Sequence, residues 1–413
     1  MYNYIGVLRK STAIEHCVSC NFFGSKTQDL VLSKNNRLEF FSFSEEEGLS
    51  AKKYINIYGK IKILLKIPTI KEKDNIFILS EDLNFCLFSF DLLSNNINIP
   101  ISGTIKEDLG KIQDEFLYCL DKNKNYLLIC TYKNIFKIIC VNTEMNQFNK
   151  YKNYTIRFQY EKIMFLAPFY SGKEDVNNNI LNFVIIKQVY NEINNTNKEG
   201  IEIKKDIIME TFQIKLEHDL FDNHTELKKK KVVSNGSVTN ITIDSKLRRI
   251  INNNKNDGNK IDNLNKKISN KKFEENKTIV YNYEKLIESV NFLEIINIEE
   301  GEKINLVITH PNGLIIVFFS SYVNYYQYDN TNKSLIISKR LSFPKRKFIG
   351  YLTVDENCYK YFIIDEPGHL FLFRILNNEK MEMDLKYIGK VNPPSCIAYL
   401  NNNTLFIGSK KSN

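Results

Sequence analysis

No tryptophan occurs among the 413 residues, which excludes a repeat built on a Trp-Asp dipeptide and leaves aromatic packing to 28 Phe and 23 Tyr. Long apolar runs are missing too. The longest, Leu314 to Phe319, falls far short of the ~18 residues of a membrane span, and the N-terminus carries no signal-peptide pattern. A soluble protein of the nucleus is expected, with the cytoplasm as the alternative compartment and no membrane partner. The 16 glycines fall singly, so no phosphate-cradling loop, dinucleotide fingerprint or Gly-x-Ser-x-Gly elbow is present.

Cysteine is sparse and scattered. The 8 cysteines sit singly in apolar stretches, as at Cys86, Cys130 and Cys140, which reads as buried reduced thiols of a large intracellular protein. Cys17 and Cys20 alone have metal or redox spacing. No second pair or His-x-x-x-His follows to complete a zinc site, and no βαβ unit surrounds them. The 5 histidines, His16, His218, His224, His310 and His369, share no catalytic or ligand spacing. His218 and His224, with Glu217, Asp219 and Asp222 nearby, read as a solvated polar turn rather than a metal site. The expectation is no enzyme, no metal and no cofactor.

The formal net charge of +9 is concentrated in one place. Thr225 to Lys285 holds about fifteen Lys and Arg against about seven Asp and Glu. It includes Lys228, Lys229, Lys230, Lys231, Lys246, Arg248 and Arg249, amid Asn-rich stretches such as Asn252–Asn254. With few aromatics and little apolar periodicity it cannot bury enough surface to offset ordering entropy, so 225–285 reads as a disordered insertion. Asn richness along the whole chain accounts for it without a function. The functional alternatives are a nuclear-localisation signal at Leu227–Lys231 or an electrostatic nucleic-acid contact through Lys228–Lys231, Arg248 and Arg249. Base-stacking aromatics are missing there, so nucleic-acid binding is expected to be indirect.

The rest reads as short strands joined by polar turns. Asp29 to Phe43 is an apolar strand, an Asn35-Asn36 turn and an alternating strand through Leu38, Phe40, Phe41 and Phe43, and Asn tolerates the positive φ of a tight hairpin. Similar pairs recur at Asn75–Asp91, Tyr126–Val141, Leu181–Tyr190 with Thr211–Leu216, Lys303–Phe319, Tyr322–Lys339, Tyr359–Leu376 and Cys396–Ser409. Gly313 and Gly368 mark turns between strands. Helical periodicity is scarce, with Tyr283–Val290 good for a turn or two. Hairpins repeating every ~40–60 residues suit radial four-stranded blades better than tandem sandwiches of ~100 residues, which need linkers that are absent. The fold class is all-β, a β-propeller, with 1–224 as N-terminal blades, 225–285 as the insertion and 286–413 as further blades.

Particular residues then point to a family. Tyr2-Asn3-Tyr4, Lys10, Thr12-Ala13, Cys17-Val18, Asn36-Arg37-Leu38-Glu39, Glu47-Gly48-Leu49, Tyr58-Gly59-Lys60-Ile61 and Phe77-Ile78-Leu79 stand in the order that opens the large-subunit family of the UV-damaged-DNA-binding complex. Asn134-Ile135-Phe136-Lys137, Ile156-Arg157, Gly368-His369-Leu370-Phe371, Tyr399-Leu400, Phe406, Gly408 and Ser409 continue it. The resemblance covers about Met1–Leu216 and Lys303–Ser409. The third subunit of splicing factor 3b and the large subunit of the cleavage and polyadenylation specificity factor share the architecture and rank after it.

The resemblance implies a first seven-bladed propeller of three, in a scaffold without catalytic residues. In that family the second propeller holds cullin-4, and the first and third grip substrate receptors of a ubiquitin ligase. Tyr399 and Asn402 match receptor-gripping positions. Protein partners are therefore expected, with cullin reached only through regions beyond this chain. The chain ends where the family's propeller continues for about one more blade, so a last blade left incomplete is also expected. The insertion is expected to loop out between outer strands of neighbouring blades.

Overall fold

The structure, a computed structural model, describes residues 12–24, 28–69, 73–107, 110–133, 135–142, 153–157, 162–170, 180–194, 201–215, 279–280, 287–296, 298–329, 334–355, 357–377, 382–400 and 404–409. Every regular element among them is a strand. The first sheet contains β1 (His16–Cys20), β2 (Gln28–Lys34), β3 (Arg37–Ser44) and β4 (Gly48–Asn56) in that order, and the second β5 (Ile61–Pro68), β6 (Asp74–Ser80), β7 (Asn84–Asp91) and β8 (Asn96–Thr104). The third begins with β9 (Ile112–Leu120), β10 (Tyr126–Tyr132), β11 (Ile135–Cys140) and β12 (Asn153–Arg157). The fourth begins with β13 (Lys162–Pro168), β14 (Ile180–Asn194) and β15 (Ile201–Lys215).

β16 (Ile279–Val280) joins β12 in parallel as a fifth strand of the third sheet, and β17 (Ile287–Ile295) completes the fourth beside β15. The chain thus leaves the fourth blade after its third strand and returns to it as the fourth. In chain order the excursion falls between the third and fourth strands of the fourth blade, with β16 on the edge of the third, rather than between the outer strands of neighbouring blades as expected. Residues 287–290, where helical turns were a possibility in the sequence, are strand; 283–286 and the basic clusters lie outside the described residues. The fifth sheet is β18 (Leu306–His310), β19 (Leu314–Phe318), β20 (Tyr322–Asp329) and β21 (Ser334–Ser342), and the sixth β22 (Phe348–Thr353), β23 (Lys360–Asp365), β24 (His369–Asn377) and β25 (Glu382–Lys390).

β26 (Cys396–Leu400) and β27 (Thr404–Gly408) form a two-stranded sheet. The described residues therefore build six blades, five of four strands and the third with β16 as a fifth, rather than the seven of the family pattern, followed by this hairpin. Innermost strands contact in succession, β9 with β13, β13 with β18, β18 with β22, β22 with β26, β26 with β1 and β1 with β5. The fold is a β-propeller, and the hairpin closes its ring.

Packing is divided among slabs between blades. On β6, Ile76 and Ile78 face the core shared with the first blade, while Phe77 and Leu79 face the third. On β19, Ile315 and Val317 pack toward the fourth blade and Ile316 and Phe318 toward the sixth. This is strand alternation with both faces apolar, and it leaves β10 and β11 buried at every residue. Outermost strands such as β4 and β8 have mostly exposed or half-buried residues and carry polar sequence.

Turns follow the chemistry of their residues. Asn35 takes φ +54° between β2 and β3, as its hairpin requires. Gly368 has φ +96°, and a Cβ there would stand 2.3 Å from the Val391 carbonyl oxygen; Gly48 has φ +70° but open space. Both substitutions by alanine meet the left-handed strain, and only Gly368→Ala adds a backbone clash. Chemical denaturation should therefore show Gly48→Ala destabilised by about 1 kcal/mol and Gly368→Ala by about 3 kcal/mol.

Candidate partner-binding surface

The seam between first and last sheets brings distant sequence together. Leu30 and Leu32 of β2 pack on Ala398 and Leu400 of β26, with Ile14, Cys17, Phe41, Phe43 and Phe406 around them. Backbone bonds tie the same edge. Ile14 N–H donates to the Ser409 carbonyl at 3.0 Å and Ser395 N–H to the Gly408 carbonyl at 2.8 Å. The Ser395 hydroxyl also donates to the Ile14 carbonyl.

Tyr399 lies in β26 within this seam. Its ring stands 6.4 Å from that of Phe362 of the sixth blade, and its carbonyl accepts Gln28 Nε2 at 3.4 Å. The side chain is half-buried. Asn402, Lys228, Lys229, Lys230, Lys231, Arg248 and Arg249 lie outside the described residues, so Tyr399 is the one site residue that the structure positions.

Surfaces that sequence reading passed over are also present. Tyr58 and Leu93 are each 99% exposed in ordered turns of the first and second blades. The Leu93 turn is pinned by Asp91, which accepts Leu93 N–H at 3.1 Å and the Ser94 hydroxyl at 2.7 Å. A cleft of ≈ 470 Å³ between these blades is lined by Phe23, Phe43, Phe90, Leu92, Lys52 and Lys53. A second, of ≈ 500 Å³ between the third and fourth blades, is lined in part by Lys111, Lys133, Lys162, Asp114, Glu115 and Phe165. Tyr58 belongs to the Tyr58-Gly59-Lys60-Ile61 motif, but the full exposure of its ring has no sequence signature.

The titratable groups are arranged for structure. Cys17 and Cys20 are three apart on a strand and so point to opposite faces, Cys17 to the seam and Cys20 to the core between the first two blades. Among the described residues no three His, Cys, Asp or Glu side chains gather to hold a metal ion. Burial pushes the Cys130 thiol up to about 12 and raises Cys119 and Cys20 as well. These thiols stay protonated and are poor nucleophiles. Asp365 accepts His369 N–H at 2.6 Å and lies 3.1 Å from Arg346 and 2.9 Å from His369 Nδ1, which braces a turn of the sixth blade. No helix among the described residues is long and apolar enough to cross a membrane.

A family model described as RSE1/DDB1/CPSF1 first beta-propeller matches residues 13–413. The chain belongs to this family. DNA damage-binding protein 1 of Schizosaccharomyces pombe is 21% identical to it over 427 residues, which cover 99% of this chain and 31% of that protein. The Drosophila melanogaster protein of that name is 24% identical over 150 residues, 35% of this chain and 13% of the relative. The Solanum lycopersicum one is 26% identical over 141 residues, 34% and 13% respectively. The chain thus spans about a third or less of these relatives. The match extends across the hairpin of β26 and β27, so Tyr399 lies inside the family's first propeller.

His310 is 1% exposed, and its Nδ1 accepts Asn312 N–H at 3.1 Å. Burial holds its pKa below the ordinary 6.5. The unfolded chain therefore takes up a proton near pH 6.5 that the folded ring resists, so His310 favours folding above that pH and loses its contribution as pH falls below it. Thermal melts should show a drop in Tm between pH 7.5 and 5.5 that is smaller in His310→Gln.

Proposed function

We propose that this protein is a non-catalytic scaffold that presents a propeller surface to protein partners, and more finely an adaptor of a cullin-4-type ubiquitin ligase linked to DNA damage recognition. The observation that carries the reading is the match to the first-propeller family over residues 13–413, with relatives named DNA damage-binding protein 1 aligned along it. The mechanism is positioning. Rigid blades fix the distance and orientation of two bound proteins, and lysine modification gains from their proximity.

In this reading β26 and β27 are the inner half of a seventh blade. Tyr399 and Asn402 contact a substrate receptor, and exposed Tyr58 extends the gripping surface. The cullin is held by regions that lie beyond this chain. Lys228–Lys231 direct the protein to the nucleus, and contact with damaged DNA is made through a partner. The family description also spans splicing and polyadenylation scaffolds, so the test must separate these branches.

Affinity purification of the tagged native protein, read by mass spectrometry, is expected to recover a cullin and substrate receptors. Recovery of splicing factor 3b or cleavage-factor subunits without a cullin would instead place the protein in RNA processing. Tyr399→Ala and Tyr58→Ser should each reduce receptor recovery about tenfold, the loss of one well-packed aromatic contact, with Tyr58→Ser leaving Tm unchanged.

A further inference from the structure

Cys17 and Cys396 meet across the seam. Cys17 is the second residue of β1 and Cys396 the first of β26, adjacent innermost strands. Their side chains are hydrogen-bond partners. Both line one cavity of ≈ 180 Å³, together with His16, Tyr118, Tyr351 and Pro394. Both are half-buried, whereas Cys20, Cys119, Cys130 and Cys140 are buried. The Cys396 sulfur rests over β27, where a Cβ added at Gly408 would stand 2.7 Å from it, so the absence of a side chain at Gly408 makes room for the sulfur beside β1.

The hydrogen bond to Cys396, and then burial, hold the Cys17 thiol far above its ordinary value. The pair shares one cavity and one hydrogen bond, so a thiolate formed on either sulfur stands beside the other thiol.

We propose that Cys17 and Cys396 form a redox-sensitive pair, oxidised by a small disulfide of the glutathione class to a cross-link that fastens the closing hairpin to the first blade. One of the two cysteines, as its thiolate, attacks one sulfur of the oxidant, forming a mixed disulfide and releasing one small thiolate. The other cysteine then gives its proton to the released thiolate and attacks the sulfur of the mixed disulfide on its partner, expelling the second small molecule as a thiolate. Two protein thiols lose two electrons and the small disulfide gains them. The bond joins residues near opposite ends of the described chain, so it constrains the unfolded state strongly, and it holds the strand that bears Tyr399.

The test is incubation of the purified protein in a glutathione redox series, quenching by alkylation, and peptide mass spectrometry without reduction. A Cys17–Cys396 cross-linked peptide should rise with the oxidised fraction, disappear with dithiothreitol, and accompany a rise in Tm of about 5 °C. Cys17→Ser and Cys396→Ser should abolish that rise, and Cys86→Ser should keep it. If a variant fails to fold, the reduced and oxidised wild-type proteins carry the comparison alone. Full alkylation of both thiols at the most oxidising ratio, glutathione adducts in place of the cross-link, or a cross-link that leaves Tm unchanged would each overturn the proposal.

Discussion

Every central strand of the ring is wedged between two blades and must be apolar on both faces. β6 divides Ile76 and Ile78 from Phe77 and Leu79, and β19 divides Ile315 and Val317 from Ile316 and Phe318. A sandwich strand spends every second residue on solvent; these strands cannot. Each slab of core thus belongs to two blades at once, and a blade removed from its neighbours would expose both faces of its middle strands. The ring is stable as a ring, which is why the short hairpin that covers Leu30 and Leu32 of the first blade matters beyond its size.

Two lysines among the described residues enter these interiors paired with glutamates. Lys187 of β14 meets Glu210 of β15 at 2.8 Å, and Lys137 of β11 is held by Glu107 and by the Thr155 hydroxyl. A buried pair of this kind adds little net stability, but separating its members by a register slip is costly. Asp29, fully buried, accepts Phe23 N–H and the Ser42 hydroxyl, each at 2.8 Å. Burial raises its pKa while these two bonds pull it down. Such groups fix which residue faces which, in sheets whose apolar side chains are otherwise similar on both faces.

The same constraint explains what could be read from the sequence. Second and third strands, doubly covered, are near-continuous apolar runs, and the hairpins β2–β3, β6–β7, β10–β11 and β23–β24 were legible from them and from turn residues such as Asn35. Outer strands such as Asn96–Thr104 and Gly48–Asn56 lie at the rim, carry Asn, Ser and Lys, and look like loops. Inner strands such as His16–Cys20 are short and mixed. Of the candidate site, the family motifs located Tyr399. The exposure of Tyr58 and Leu93 depends on turn geometry and neighbouring blades, and the Cys17–Cys396 contact joins β1 to β26, strands at opposite ends of the described chain. Neither has a local signature.

The fourth blade is closed by a strand that returns after a long excursion, from Lys215 to Ile287. Closing such a loop has an entropic cost that grows only logarithmically, about 0.6 kcal/mol for each doubling of length. Once that pairing exists, the excursion can lengthen, shorten or drift in composition with little thermodynamic penalty to the blade. The rate of folding is less forgiving, because β17 must find β15 across a distant stretch of chain. The fourth blade thus joins a tolerance of length in this excursion to a slower pairing of its last strand.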